Sequence, residues 1–149
     1  MLVIGADHAG FALKEFLKRK LIRAGETVID IGARTQKKDD DYPVIALELA
    51  KRVRRTSGGR GLLICGSGIG MSMVANKVAG IRAANAWEPK VALRSRQEED
   101  ANVLVLPADF VSRTKAVQIL EVWLATPFKR ITRYRRRLGE VQHIENHAP

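Results

Sequence analysis

Leu62–Ala86, which reads LLICGSGIGMSMVANKVAGIRAANA, constrains this chain more than any other stretch. Gly61-Leu62-Leu63-Ile64 is a short apolar run between glycine-rich segments, the pattern of a buried strand. It ends in Cys65. Gly66-Ser67-Gly68-Ile69-Gly70 follows, with three glycines in five residues. Met71–Val78 then has helical character, Gly80 breaks it, and Ile81–Ala86 reads as the next strand. Strand, glycine-rich turn, helix and strand make one βαβ unit.

The turn has a chemical consequence. Without a Cβ in the way, glycine N–H groups can point into a concavity, and a helix start adds unpaired N–H groups and partial positive charge. Cys65 sits at its lip. The N–H groups are expected to lower the thiol pKa and so favour the reactive thiolate. One loop would then carry a base or nucleophile and an oxyanion hole. The plainer alternative is an inert buried cysteine beside a packing turn. Familiar glycine loops fit poorly. Met71 stands where a dinucleotide fingerprint needs its third glycine, no Gly-Lys-Ser/Thr closes a phosphate loop, and position 71 is not the arginine of a Cys-x5-Arg phosphatase loop.

The rest of the chain repeats the alternation. Leu2–Ala6 reads as a strand, and Asp7-His8-Ala9-Gly10 leads into a helix to about Ala24 with Leu13, Phe16, Leu17 and Leu21 on one stripe. Thr27–Ile31 is a second strand and Gly32–Asp41 a polar loop. Pro43 suits the first turn of a helix with Asp41 near its start. Glu88-Pro89 opens a helix to about Glu98, Asn102–Leu106 is a fifth strand, and Ser112 caps a helix to about Ala125. These elements predict a single domain over residues 1–149. Its fold would be a doubly wound α/β/α sandwich, Rossmann-like, with a mainly parallel five-stranded sheet. Ligands in such folds bind beyond the carboxyl ends of the strands. Asp7-His8 and Cys65 both fall on that edge, which favours the reactive cysteine over the inert one.

One cysteine excludes an internal disulfide framework. With no membrane-length apolar stretch and no signal peptide before Leu2-Val3-Ile4, a cytoplasmic, soluble protein is expected. The net charge of +10 invites an anionic partner. Among the basic clusters only Lys129–Arg137 looks specific. It lies in an extra terminal helix, about residues 130–146, where Ile131, Tyr134, Leu138 and Val141 form a narrow stripe suited to packing on a partner subunit. Arg133 and Arg137, four residues apart, form either a phosphate clamp or a solvated basic face.

These pieces together resemble the ribose-5-phosphate isomerase type B family, which includes the galactose-6-phosphate isomerase subunits. The matching residues are Gly5–Gly10, Asp41-Tyr42-Pro43, Cys65–Gly70, Ala75–Ala83, Ser95-Arg96-Gln97, Asn102-Val103-Leu104 and the Arg133/Arg137 pair. The resemblance implies interconversion of ribose 5-phosphate and ribulose 5-phosphate through a cis-enediolate, without cofactor or metal. It implies Cys65 as the base, with Ser67 and the N–H groups of Gly66, Gly68, Ile69 and Gly70 holding the oxyanion. Asp7 and Tyr42 would bind the sugar; His8, Arg133 and Arg137 would bind the phosphate. A homodimer or tetramer with its site between subunits is implied as well.

Three positions depart from the family pattern. Its Ser-Arg-x-His-Asn-Asp is here Ser95-Arg96-Gln97-Glu98-Glu99-Asp100, and a further phosphate-binding arginine is Asp109. The resemblance places these positions on the neighbouring subunit's wall. Glu98 could serve as the ring-opening group if burial and neighbouring carboxylates raise its pKa. Alternatively, the acidic wall could mark another aldose phosphate, a tetrose or hexose phosphate, or lost activity. A non-catalytic basic protein that binds nucleic acid is the competing class. No nucleic-acid motif supports it, so neither nucleic acid nor membrane is expected as a partner.

Overall fold

Period-two alternation decides which way each strand residue points, and here it sorts the core into two layers. The computed structural model describes residues 1–33, 35 and 40–147. Its strands are β1 (Leu2–Ala6), β2 (Val28–Asp30), β3 (Arg60–Cys65), β4 (Ala83–Asn85) and β5 (Val103–Pro107). They form one sheet in the order β2-β1-β3-β5-β4, with all pairings parallel. Its helices are α1 (Phe11–Arg23), α2 (Tyr42–Arg55), α3 (Ile69–Ala75), α4 (Pro89–Gln97), α5 (Arg113–Ala125) and α6 (Thr132–His147). Leu2, Ile4, Leu62, Ile64, Leu104 and Leu106 pack toward α1, α4 and α5. Val3, Leu63, Cys65, Val103 and Val105 pack toward α2 and α3. The fold is thus the expected doubly wound α/β sandwich.

This parity fixes the site. Cys65 shares a face with Leu63, so its sulfur lies on the α2/α3 side; a slip of one residue in β3 would turn it away. After β1 the chain leaves for α1 on one layer, and after β3 it leaves for α3 on the other. The two loops diverge and open a crevice at the topological switch point.

Local signals explain most element ends. Ser112 caps α5 by accepting a hydrogen bond from the Lys115 N–H at 3.2 Å. Pro43 and Pro89 occupy first-turn positions of α2 and α4. Asp41 is the residue before α2, but its side chain makes no capping hydrogen bond. α3 begins two residues before the expected Met71, because Gly68 in a left-handed conformation turns the chain at once, and it stops at Ala75, short of the expected Val78. Part of the polar loop expected over Gly32–Asp41 lies outside the described residues. No described helix is long and apolar enough to cross a membrane.

α6 forms close to the expected residues. Tyr134 is buried, and Leu138, Val141 and Ile144 face Ile81, Ala83 and Ala84 across a groove of about 380 Å³. Glu145 accepts a hydrogen bond from the Gly80 N–H at 2.9 Å. Because β4 is an edge strand, it leaves apolar surface that this helix can cover. Tyr134 and Leu138 are thus turned toward the chain's own body, while Ile131, Val141 and Ile144 stay exposed and leave apolar surface on the helix.

Candidate active site

The end of β3 builds the centre. Gly68 has φ of +73°, and a Cβ there would stand 2.6 Å from the Asn85 Oδ1, so the turn needs glycine on both counts. Asn85 in β4 braces the turn by donating from Nδ2 to the Ser67 carbonyl at 3.0 Å. The Ser67 hydroxyl accepts from the Ile69 N–H at 3.3 Å, which places it at the opening of α3.

The thiol is not in the state expected from the loop alone. The N–H groups of Gly66 and Gly68 do favour the thiolate, as the glycine pattern suggests. Burial opposes them, and so does Asp7, whose carboxylate accepts the thiol's hydrogen bond. Burial and Asp7 win, and the Cys65 pKa is pushed up to about 11 rather than lowered. Desolvation of a nearly buried sulfur and a facing negative charge both disfavour the anion. What the sequence left out was the side chain opposite. Asp7 is itself buried, and its Oδ1 also accepts the Gly10 N–H at 2.9 Å, which fixes the carboxylate.

His8 and Tyr42 line the same crevice. Asp40 Oδ1 lies 2.7 Å from the His8 Nδ1 and accepts the His8 backbone N–H at 3.0 Å, so one carboxylate oxygen holds both ring and backbone. Asp40 was not singled out in the sequence; its only signal is its place in the acidic run before Tyr42. Tyr42 opens α2 with its ring against Gly70, where a Cβ would come within 2.6 Å of the ring.

The remaining residues of the expected wall fall elsewhere. Glu98 and Glu99 follow α4, which runs back from the carboxyl edge, so they lie at the opposite end of the sheet from Cys65. Glu98 is paired with Arg94 at 2.8 Å. That hydrogen bond, with the charges of Arg133 and Arg137 adding to it, holds Glu98 below the ordinary carboxylate range. The raised pKa expected for a ring-opening acid is therefore absent: cations surround Glu98, not carboxylates. Arg133 and Arg137 are exposed, and Arg133 lies over the Tyr134 ring at 5.1 Å. Glu99 is exposed. Asp109 separates from this group, because its N–H donates to the Gly66 carbonyl at 3.0 Å and so rims the Cys65 loop of its own chain. Among the described residues, no cluster of three His, Cys, Asp or Glu side chains could hold a metal ion.

One chain therefore brings together Cys65, Ser67, the glycine turn, Asp7, His8, Tyr42 and Asp109. It keeps Glu98, Arg133 and Arg137 together at the far edge. A proton donor on sulfur, a fixed carboxylate beside it and aimed N–H groups can move a proton and hold an oxyanion.

Comparison with known proteins places this geometry. The pattern of the Ribose/Galactose Isomerase family matches residues 2–141. The ribose-5-phosphate isomerase B of Escherichia coli K12 is 38% identical over 144 residues, covering 97% of this chain and 95% of its own. That of Mycobacterium tuberculosis H37Rv is 34% identical over 142 residues, covering 95% and 88%. The crystal structure of ribose-5-phosphate isomerase B from Mycoplasma genitalium, with bound ribulose-5-phosphate, superposes with a TM-score of 0.95 at 34% identity. It covers 99% of this chain and 97% of its own.

Proposed function

The chain belongs to the ribose/galactose isomerase family, and from that premise we propose that it interconverts ribose 5-phosphate and ribulose 5-phosphate. The names of its relatives and the ribulose-5-phosphate bound to one of them favour the pentose over a tetrose or hexose phosphate. The observation that carries the reading is the placement of Cys65 at the switch point, between a buried carboxylate and two aimed N–H groups.

In this mechanism Cys65 is the base. The resting thiol hands its proton to Asp7, and the thiolate removes the C2 proton of the open-chain aldose. The C2–H electron pair moves into the C1–C2 bond, and the carbonyl oxygen O1 becomes an oxyanion. The N–H groups of the turn, from Gly66 to Gly70, and the Ser67 hydroxyl hold that charge as it forms. The O2 proton passes to O1, Cys65 returns the abstracted proton to C1, giving the ketose, and Asp7 hands the first proton back to the sulfur, which restores the resting thiol. A thiol pKa near 11 makes the sulfur a strong base once ionised, which suits abstraction of a weakly acidic C–H.

Tyr42 and Asp7 flank the sugar, and His8, steadied by Asp40, takes the phosphate. Arg133 and Arg137 complete that phosphate site from a second copy of the chain, since in one chain they lie at the wrong edge. Glu98 and Glu99 come with them, and Glu98 serves as an ionised wall residue rather than an acid. Ile69, Met73, Trp87 and Phe110 are exposed apolar side chains on elements at the carboxyl edge, and they supply the surface against which the second copy docks. Turnover by purified protein over four-, five- and six-carbon aldose phosphates tests the substrate. Ribose 5-phosphate should give the highest kcat/KM, and a better tetrose or hexose phosphate would displace it. Cys65→Ala should abolish turnover while sparing substrate binding, as loss of a group needed only in the transition state requires.

A further inference from the structure

A second group of cations lies away from the Cys65 crevice, at the amino ends of the strands. Arg60 is the first residue of β3, Arg82 directly precedes β4, and Arg96 projects from α4. With Arg54 from the end of α2 they line a cavity of about 510 Å³, closed on one side by the last turns of α6. β3 alone separates Arg60 from Cys65 by about 17 Å at the usual strand rise. The cavity is therefore not part of the catalytic crevice of its own chain.

The charges there do not balance. Four guanidiniums meet two carboxylates, Asp100 and Glu145. Asp100 is taken by Arg82 at 3.0 Å and by Arg96 at 2.8 Å. Glu145 is taken by the Gly80 N–H. Arg60 is left donating to the Leu124 carbonyl at 2.7 Å, and Arg54 has no hydrogen bond or ion pair among the described residues. Arg96 is only 6% exposed, and burial together with the nearby charge of Arg60 disfavours its protonated form. An added anion would relieve that repulsion. Two of the four are also held in place, because Arg60 and Arg96 both face the Trp123 ring with 5.6 Å to its centroid. For those two little conformational freedom remains for a ligand to remove, while the exposed Arg54 side chain would be ordered on binding. Glu145 on Gly80 already puts one oxyanion against this wall.

We propose that this cavity is a second oxyanion site, which takes a small phosphate-bearing anion between Arg54, Arg60 and Arg82. Guanidiniums pair with phosphate oxygens through fixed forks of N–H donors, and a cavity of this size admits a phosphate monoester as well as the free ion. The ligand shares the Gly80 wall with Glu145 and competes with that carboxylate for it.

Binding rather than turnover tests this, so the outcome does not depend on the assignment of Cys65. Titration calorimetry would use pyrophosphate, inorganic phosphate and, as a monoester, glycerol 3-phosphate. The background is an Arg133→Gln/Arg137→Gln chain, which weakens the phosphate clamp proposed for the catalytic site. That chain should still bind at least one probe, and the probe bound tightest separates a free polyanion from a monoester. Adding Arg54→Gln and Arg60→Gln should weaken this binding about tenfold or more, the usual effect of losing a charge-assisted hydrogen bond. Adding Glu145→Gln instead should tighten it. In the otherwise unaltered chain, Arg54→Gln/Arg60→Gln should keep the kcat and KM for ribose 5-phosphate. Should the double variant not fold, Arg54→Gln alone serves, because that side chain is exposed and, among the described residues, unpaired. Absence of binding to the background chain, or binding unchanged by Arg54→Gln, would overturn the site.

Discussion

Replacing Asp7 by asparagine tests the electrostatics of the thiol and its catalytic use together. The Cys65 pKa stands near 11 against an ordinary value of 9.0, a shift caused first by burial and then by Asp7. About two units means about a hundredfold less thiolate than an ordinary cysteine carries at neutral pH. The Asp7→Asn change would keep the volume and much of the hydrogen bonding but remove the negative charge. Burial would remain, so only part of the shift should go. Iodoacetamide alkylation, which reports thiolate, should therefore speed up about tenfold at pH 8, with its inflection moving down from about 11 by roughly one unit. Turnover should nevertheless collapse, because an amide cannot receive the thiol proton. The sign also applies to stability. A thiol whose folded pKa is raised binds its proton more tightly folded than unfolded, so its contribution is complete below the unfolded pKa. It is lost as pH rises from about 9 through 11. An alkylation inflection in the parent chain at 8.5–9 would refute the burial argument. An Asp7→Asn variant with full activity would refute the proton transfer to Asp7.

Three further outcomes follow from the same geometry. Glu98→Gln should lower the KM for ribose 5-phosphate by roughly two- to fivefold, the range of screened surface charge pairs, because a carboxylate beside Arg133 and Arg137 opposes the incoming phosphate; a rise in KM or a loss of kcat would give Glu98 an active role instead. Asp40→Asn should raise KM several-fold with kcat largely kept, since Asp40 holds His8, the residue proposed to take the phosphate, and steady-state kinetics with an unchanged KM would contradict that. Phe110→Asp, at a side chain 73% exposed in the single chain, should leave the melting of a monomer unaffected but dissociate the proposed dimer in sedimentation and reduce activity; a fully active monomer would end the shared-site reading.

The layered fold was legible because its signals are local and agree with one another. Apolar runs, proline at helix starts, Ser112 at a cap and glycine at turns each name an element end. The switch point was legible too, since strand ends alone place Asp7-His8 and Cys65 on one edge. What the sequence could not reveal is which charges face each other across non-adjacent elements. The Gly66 and Gly68 N–H groups favour the thiolate as their pattern suggests, yet Asp7, 58 positions away in the chain, reverses the sign. Glu98 shows the same limit: its sequence neighbours Glu99 and Asp100 suggest like charge, while folding surrounds it with Arg94, Arg133 and Arg137. The terminal helix shows its stripe in the sequence, but a stripe says that a helix must be covered and not by what: Tyr134 is buried within the chain, while Ile131 and Val141 stay exposed. Charge and coverage are properties of the assembled sheet. The residues whose roles turn on them are those for which substitution kinetics, rather than pattern, must decide, and Asp7 is the first of these: its two predicted effects, a more reactive thiol and a slower enzyme, move in opposite directions only if the carboxylate both suppresses the thiolate and accepts its proton.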